Sequence, residues 1–271
     1  MTADSSPQCT GVGLLNHQIP KIADLPRGLI SSDWKWRLPS GDESHRLKHG
    51  WRIGTDPQAR QWLVKMKGSF YAYREHVFAS VAQRLGISCQ SSTYLVIDEN
   101  SPVLRRPTGN AEPFQLALWF MDQHCADACS PACPCSVVIG RDQNFEAIVR
   151  AKNAGVADFD DMVRGDVLGH LCGQLEPHGH FFTRNHEYVI IDNECMFHDL
   201  PCLHMYSWLD VPGVRPVIIE LCRKFVDLAD NELCSITSVP NNYIVSNGRN
   251  LLEDLCAAKK AAGEYLELFD E

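Results

Sequence analysis

Near residue 120 the hydrophobic periodicity of the chain changes from about two residues to about 3.6 residues, and this limits the fold more than any other feature. Before that point the apolar positions alternate as they do in strands. Gly28–Leu38 puts Trp34, Trp36 and Leu38 on alternate positions and reads as one strand, and Trp51–Ile53 reads as a second. Gln61–Met66 (QWLVKM) is a third, bounded by the turn-forming stretches TDPQ and KGS. One helix interrupts the series at Ala72–Leu85, where Val77, Val81 and Leu85 share a face with charges opposite. Gly86 suits its C-terminal end. The segments STYLVID (92–98) and FQLALWFMD (114–122) return to strand spacing. Beyond them, Asp158–Gly173 opens on acids and then spaces Met162, Val167, Leu168 and Leu171 as a helix does. Val214–Ala229 and Asn250–Leu268 read as amphipathic helices. The expected class is therefore α+β, in two lobes. An arm over residues 1–27 leads into a β-rich lobe with one helix over 28–122, and a mainly helical lobe covers 123–271.

A chain of 271 residues can bury a sizeable core, and 45% hydrophobic with 22% charged residues is ordinary for a soluble globular protein. The balance of 25 basic against 34 acidic residues, net -9, opposes sequence-independent binding along nucleic-acid phosphates. No apolar run has the length that spans a bilayer, so no membrane partner is expected. The opening MTADSSPQCTGVGLLNHQ carries no basic region ahead of an apolar stretch, which points to a cytoplasmic protein.

Twelve cysteines are many for such a compartment, and metal binding is favoured there over a disulfide framework. Cys125, Cys129, Cys133 and Cys135 lie within residues 124–136, beside His124, with the spacing C-x3-C-x3-C-x-C. Four thiolates this close can converge on one tetrahedral zinc ion. The order does not match ferredoxin spacings, so an iron–sulfur cluster is disfavoured. Cys195, Cys202 and His204 are possible substitute ligands, and a structural role is expected. The scattered Cys89, Cys172, Cys222 and Cys256 read as buried, inert small hydrophobes.

Two places carry candidate chemistry. Lys65 lies on an apolar strand between Val64 and Met66, where an ammonium needs a counter-charge or a phosphate. The alternative is an edge strand whose lysine snorkels into water. Glu75, on the helix that follows, is a suitable partner. The second place is EPHGHFFTRNHEYVIIDNE, within residues 174–194. Glu176, His178 and His180 stand at alternate positions, a short turn follows, and the apolar run Tyr188–Ile191 delivers Asp192 and Glu194. A metal, or a metal-bearing phosphate, would fit between such a loop and an aspartate at a strand end.

WLVKMKG, YREHVFASVAQRLGI, the later loop and VIID together resemble the HipA-like branch of the protein-kinase-like fold, which is related in arrangement to the phosphoinositide kinases. The resemblance runs from about Gly28 to Leu200. It implies that Lys65 contacts the phosphates of ATP and that Glu75 orients it. It implies further that FQLALWFMDQ, with Asp122, leads into a hinge beside adenine, and that Asp192 holds magnesium or manganese. The reaction implied is transfer of the γ-phosphoryl group to a protein Ser/Thr or a small-molecule hydroxyl.

The catalytic loop departs from the family pattern D-R-H-x-x-N. Matching the histidine to His178 sets Glu176 in the aspartate place but Phe181 where a metal-binding asparagine belongs. A shift of one makes His180 the metal ligand but leaves Leu175 at the catalytic position. Gly41 is the one candidate for a phosphate-loop glycine. Two other functions therefore stay open. One is a pseudokinase that binds nucleotide as an interaction module. The other is a metal-dependent hydrolase with His178, His180 and Asp192 as ligands and Glu176 as base.

Overall fold

Alternating apolar residues build a six-stranded sheet in the order β1-β5-β6-β4-β3-β2. Its strands are β1 (Leu29–Ile30), β2 (Lys35–Arg37), β3 (Trp51–Thr55), β4 (Gln61–Lys65), β5 (Ser92–Val96) and β6 (Phe114–Trp119). The computed structural model describes residues 21–25, 29–30, 33–38, 51–65, 69–96, 114–119, 152–153, 155, 159–174, 179–182, 188–191, 196–198, 201, 210–238 and 250–270. At 29–30, 69, 96, 114–119, 179–182 and 270 it describes the backbone alone.

All neighbouring strands in the sheet run antiparallel except β1 and β5, which are parallel. The turn between β3 and β4 is organised by one buried carboxylate. Asp56 accepts the backbone N–H groups of Gln58 (3.0 Å) and Arg60 (2.9 Å), the Arg60 guanidinium (2.6 Å) and the Trp62 indole N–H (3.0 Å). Four donors compensate its loss of water.

The single strand expected over 28–38 is two strands on opposite edges of the sheet. Leu29 and Ile30 pair with Leu95 and Val96, whereas Lys35–Arg37 pairs with Ile53–Thr55. Alternation of side chains reports an extended backbone but not the neighbour it bonds. Trp34, just ahead of β2, is buried, and Leu38, the third member of the expected apolar series, is 60% exposed.

Strand alternation gives the sheet two apolar faces. Trp62, Val64 and Leu95 join Trp34 and Leu25 on one side. Ile53, Leu63 and Tyr94 face the other way, into a core shared with the helix α1 (Ser69–Arg84). Gly86 ends that helix at φ 79, with Ile87 N–H bonded to the Ala82 carbonyl (2.8 Å) and Gly86 N–H to that of Gln83 (3.2 Å). This is the left-handed glycine cap in its two-bond form.

The later part of the chain is helical: α2 (Phe159–Leu171), α3 (Val214–Val226), α4 (Asp230–Thr237) and α5 (Leu251–Asp270). The helix expected to reach Ala229 stops at Val226, and α4, which the periodicity did not announce, follows at once. With eight residues and two buried apolar side chains, Leu233 and Ile236, it is too short to show a repeat. Between α2 and α3 a hairpin forms from β7 (Gly179–Phe182) and β8 (Tyr188–Ile191).

Cys89, Cys172 and Cys222 are buried as expected, but Cys256 is exposed. Leu255, Ala258, Ala262 and Tyr265 form the inward stripe of α5, and Cys256 lies one position off it. Among the described residues, no helix is long and apolar enough to cross a membrane.

Candidate active site

The register of β3 against β4 sets Lys65 opposite Trp51. Alternation along β4 turns Lys65 to the same side as Leu63, toward α1. There its Nζ lies 2.8 Å from Glu75 Oε1, with the two side chains 5% and 4% exposed. The ammonium also sits 5.3 Å from the centre of the Trp51 ring, a cation–π distance. Both charges are out of water. Removing the ammonium would leave the Glu75 carboxylate buried without its counter-charge, at a cost of about 3–5 kcal/mol.

The residues around Glu75 on α1 reach outward in other directions. Tyr73 donates its hydroxyl to the Thr237 carbonyl at 2.7 Å, and burial pushes its pKa up to about 12, so it remains a donor at neutral pH. Arg74 donates to the Phe197 carbonyl at 3.3 Å and lies 4.4 Å from the Phe70 ring centre. His76 shares a hydrogen with Ser92 Oγ through Nδ1 (2.9 Å), and its ring stands 4.4 Å from that of Tyr94. Burial lowers its pKa to about 4, so the ring is neutral at pH 7.

The second candidate region begins at the β7–β8 hairpin. His180 pairs with Ile190 and Phe181 with Val189 in its ladder. The hairpin is fastened to the segment after α1: Ile190 N–H bonds the Ser88 carbonyl (3.0 Å) and Gln90 N–H bonds the Ile190 carbonyl (2.9 Å). Ile190 also packs on Gly165 of α2, where a methyl group would meet its Cδ1 at 2.5 Å. The apolar strand expected ahead of Asp192 is therefore buried between α2 and the end of α1.

Of the site residues read from the sequence, Lys65 and Glu75 are brought together. For His180 the backbone alone is described, in β7. Asp122, Glu176, His178, Asp192, Cys125, Cys129, Cys133 and Cys135 lie outside the described residues, as do Gly41, His124, Cys195, Cys202 and His204. Among the described residues no group of three or more His, Cys, Asp or Glu side chains is placed to hold a metal ion. Sequence reasoning missed Tyr73, Arg74 and His76. It set the charges of α1 opposite its apolar face, yet Arg74 and Glu75 are both buried. Adjacency to Glu75 gave no signal, since neighbouring helical residues do not share a face, and Tyr73 and Arg74 reach backbone carbonyls that no residue type marks.

A mostly antiparallel sheet crossed by one helix, followed by a hairpin and a mainly helical half, is the two-lobed α+β architecture of the protein-kinase-like fold. The solved structure of the Helicobacter pylori proinflammatory kinase CtkA is similar, with a TM-score of 0.52 and 12% sequence identity. The likeness covers 81% of this chain and 96% of that one. No family model matches the sequence, and no curated protein matches it. At this identity the likeness is one of fold.

Proposed function

We propose that the chain is an ATP-dependent phosphotransferase of the HipA-like branch, acting on a protein Ser/Thr or a small-molecule hydroxyl. The observation that carries this is the buried Lys65–Glu75 pair, which joins a sheet strand to the helix that follows it at 2.8 Å. An ammonium held by a carboxylate is a positioned point charge suited to phosphate oxygens, and kinase folds use such a pair for that purpose. The residues present fit the phosphate end of a nucleotide. In this reading Lys65 binds phosphate, Glu75 orients it, and Asp122 borders the adenine hinge. Asp192 and His180 would hold magnesium or manganese, which when bound neutralises charge on the phosphates. Glu176 accepts the proton of the acceptor hydroxyl, with His178 positioning that group. A new O–P bond forms as the bond to the β-phosphate oxygen breaks, and ADP leaves. Zinc on Cys125, Cys129, Cys133 and Cys135 is a structural part of the same reading, and metal analysis of reduced protein tests it.

One observation favours a second reading. Phe181, whose phenyl ring has no atom to ligate a metal, stands at the place of the family's asparagine in one alignment, and its backbone pairs with Val189 in the β7–β8 ladder. A pseudokinase would keep nucleotide binding and lack transfer. Thermal melts and turnover assays separate these outcomes. Magnesium- or manganese-ATP is expected to raise the melting temperature, because a ligand bound by the folded state alone stabilises it. Lys65→Ala removes most of that shift, and Asp192→Ala abolishes turnover. Glu176→Gln keeps binding but lowers turnover by about two to four orders of magnitude. Wild type that binds ATP without turnover is a pseudokinase. Metal-dependent hydrolysis that is indifferent to Lys65 marks the hydrolase alternative. An unchanged melt with millimolar ATP and either metal overturns the nucleotide-binding reading.

A further inference from the structure

We propose that Tyr73 and Arg74 are positioning residues that clamp α1 to the helical half of the molecule and thereby hold the Lys65–Glu75 pair closed. Consecutive helical residues project about 100° apart, so one turn can address three different neighbours. Residues 73 to 75 do so. Tyr73 Oη donates to the Thr237 carbonyl at 2.7 Å, at the C-terminal end of α4, where carbonyls lack partners within the helix. Arg74 Nη2 donates to the Phe197 carbonyl at 3.3 Å in the buried interior. Glu75 takes the third direction, to Lys65.

Both carbonyls are anchored. Thr237 belongs to α4, which packs on α5 through Leu233 and Ile236 in the common core. Phe197 is buried in the left-handed region at φ 56, and its own N–H bonds the Cys172 carbonyl at 2.7 Å, just past α2. The far end of α1 is tied through Ser88 and Gln90 to Ile190 of β8. Any rotation of α1 that parts Glu75 from Lys65 must therefore break the Tyr73 and Arg74 bonds as well. Arg84 and Glu232 also meet at 3.4 Å, but both are solvent-accessible and such a pair adds little. The clamp thus lies in the turn that carries Glu75. It ends on backbone carbonyls, which keep their place whatever side chain they carry.

The consequence for nucleotide affinity rests on the phosphotransferase reading, but the clamp does not, so the test has two readouts. The first is acylation of Lys65 by acetic anhydride without nucleotide, followed by mass spectrometry against exposed Lys260. The second is titration of magnesium-ATP. In Tyr73→Phe/Arg74→Gln, Lys65 labelling is expected to rise about tenfold and ATP affinity to fall about tenfold, as the competent state loses population. Restoring a cationic donor with Arg74→Lys is expected to recover most of both. Lys65 labelling that stays at the wild-type level while the melting temperature falls overturns the clamp, because the two bonds then only add stability. Should the double variant fail to fold, Tyr73→Phe alone removes one hydroxyl. A rise of about threefold is expected for it, and no rise overturns the proposal. Wild type that does not bind ATP refutes the phosphotransferase reading and leaves the labelling result to decide the clamp.

Discussion

His76 occupies the residue after Glu75, and its neutrality links the stability of α1 to pH. Its folded pKa of about 4 lies below the ordinary 6.5, because burial penalises the imidazolium. The unfolded chain therefore takes the proton first. The contribution is fully present above about pH 6.5 and is lost as pH falls toward 4. Between pH 7 and pH 5 the loss from this group is about 2 kcal/mol. Urea unfolding of wild type and His76→Gln at both pH values measures it. The variant is expected to lose correspondingly less stability on acidification, and equal losses would mean that His76 is protonated in the native state. Neighbouring residues show how much of the site was legible. Lys65 and Glu75 stand out in the sequence, since a lysine in an apolar strand needs compensation and the next helix offers a carboxylate. Tyr73 and Arg74 do not, because their partners are the backbone carbonyls of Thr237 and Phe197, and a carbonyl has no residue signature.

At the scale of elements, β3 depends on having no side chain at Gly54. A Cβ there would meet Trp34 Cε3 at 2.5 Å and Trp36 Cζ3 at 2.9 Å. The two indoles stack with their ring centres 5.2 Å apart, and Trp34 stacks on Trp62 at 6.1 Å, so neither ring can yield without disturbing the other. Gly54→Ala is expected to lower stability by about 1–3 kcal/mol, the ordinary cost of overpacking. A fall in the urea midpoint with an unchanged slope checks it, and an unchanged midpoint would show that the tryptophans move freely. The same strand illustrates what periodicity can and cannot tell. β4, β5 and the helices α1, α2 and α5 follow their apolar spacing closely. β1 and β2 were indistinguishable from one strand because both are extended, and the ladders that separate them are formed with β5 and β3.

For the whole molecule the decisive feature is one continuous core. It runs from Ile53 and Leu63 on the sheet, through Val77 and Phe78 of α1, to Leu168, Leu221 and Tyr265 of the later helices. Among the described residues this cluster joins the sheet, α1 and the later helices, so the two halves are expected to unfold together. Calorimetry should show one transition whose calorimetric and van't Hoff enthalpies agree. Two resolved transitions would mean that the sheet and the helical half are separate folding units. In the same test a fragment of residues 1–122 should not fold alone, because α1 would be left without α4 and the segment after α1 without β8.

By itself the sequence determined the class, the Lys65–Glu75 pair and most of the strands and helices, though not α4, β7 or the division of β1 from β2. These depend on local spacing and on the rule that a buried charge needs a partner, both of which are written along the chain. The tertiary structure alone decided that β1 and β2 lie on opposite edges, that Cys256 faces solvent, and that Tyr73 and Arg74 bind α1 to the helical half. Each of these depends on which distant segment supplies a backbone donor, a backbone acceptor or a covering surface. Peptide groups are alike at every position, so their pairing is chosen by the packing of the whole core rather than by the residues that carry them.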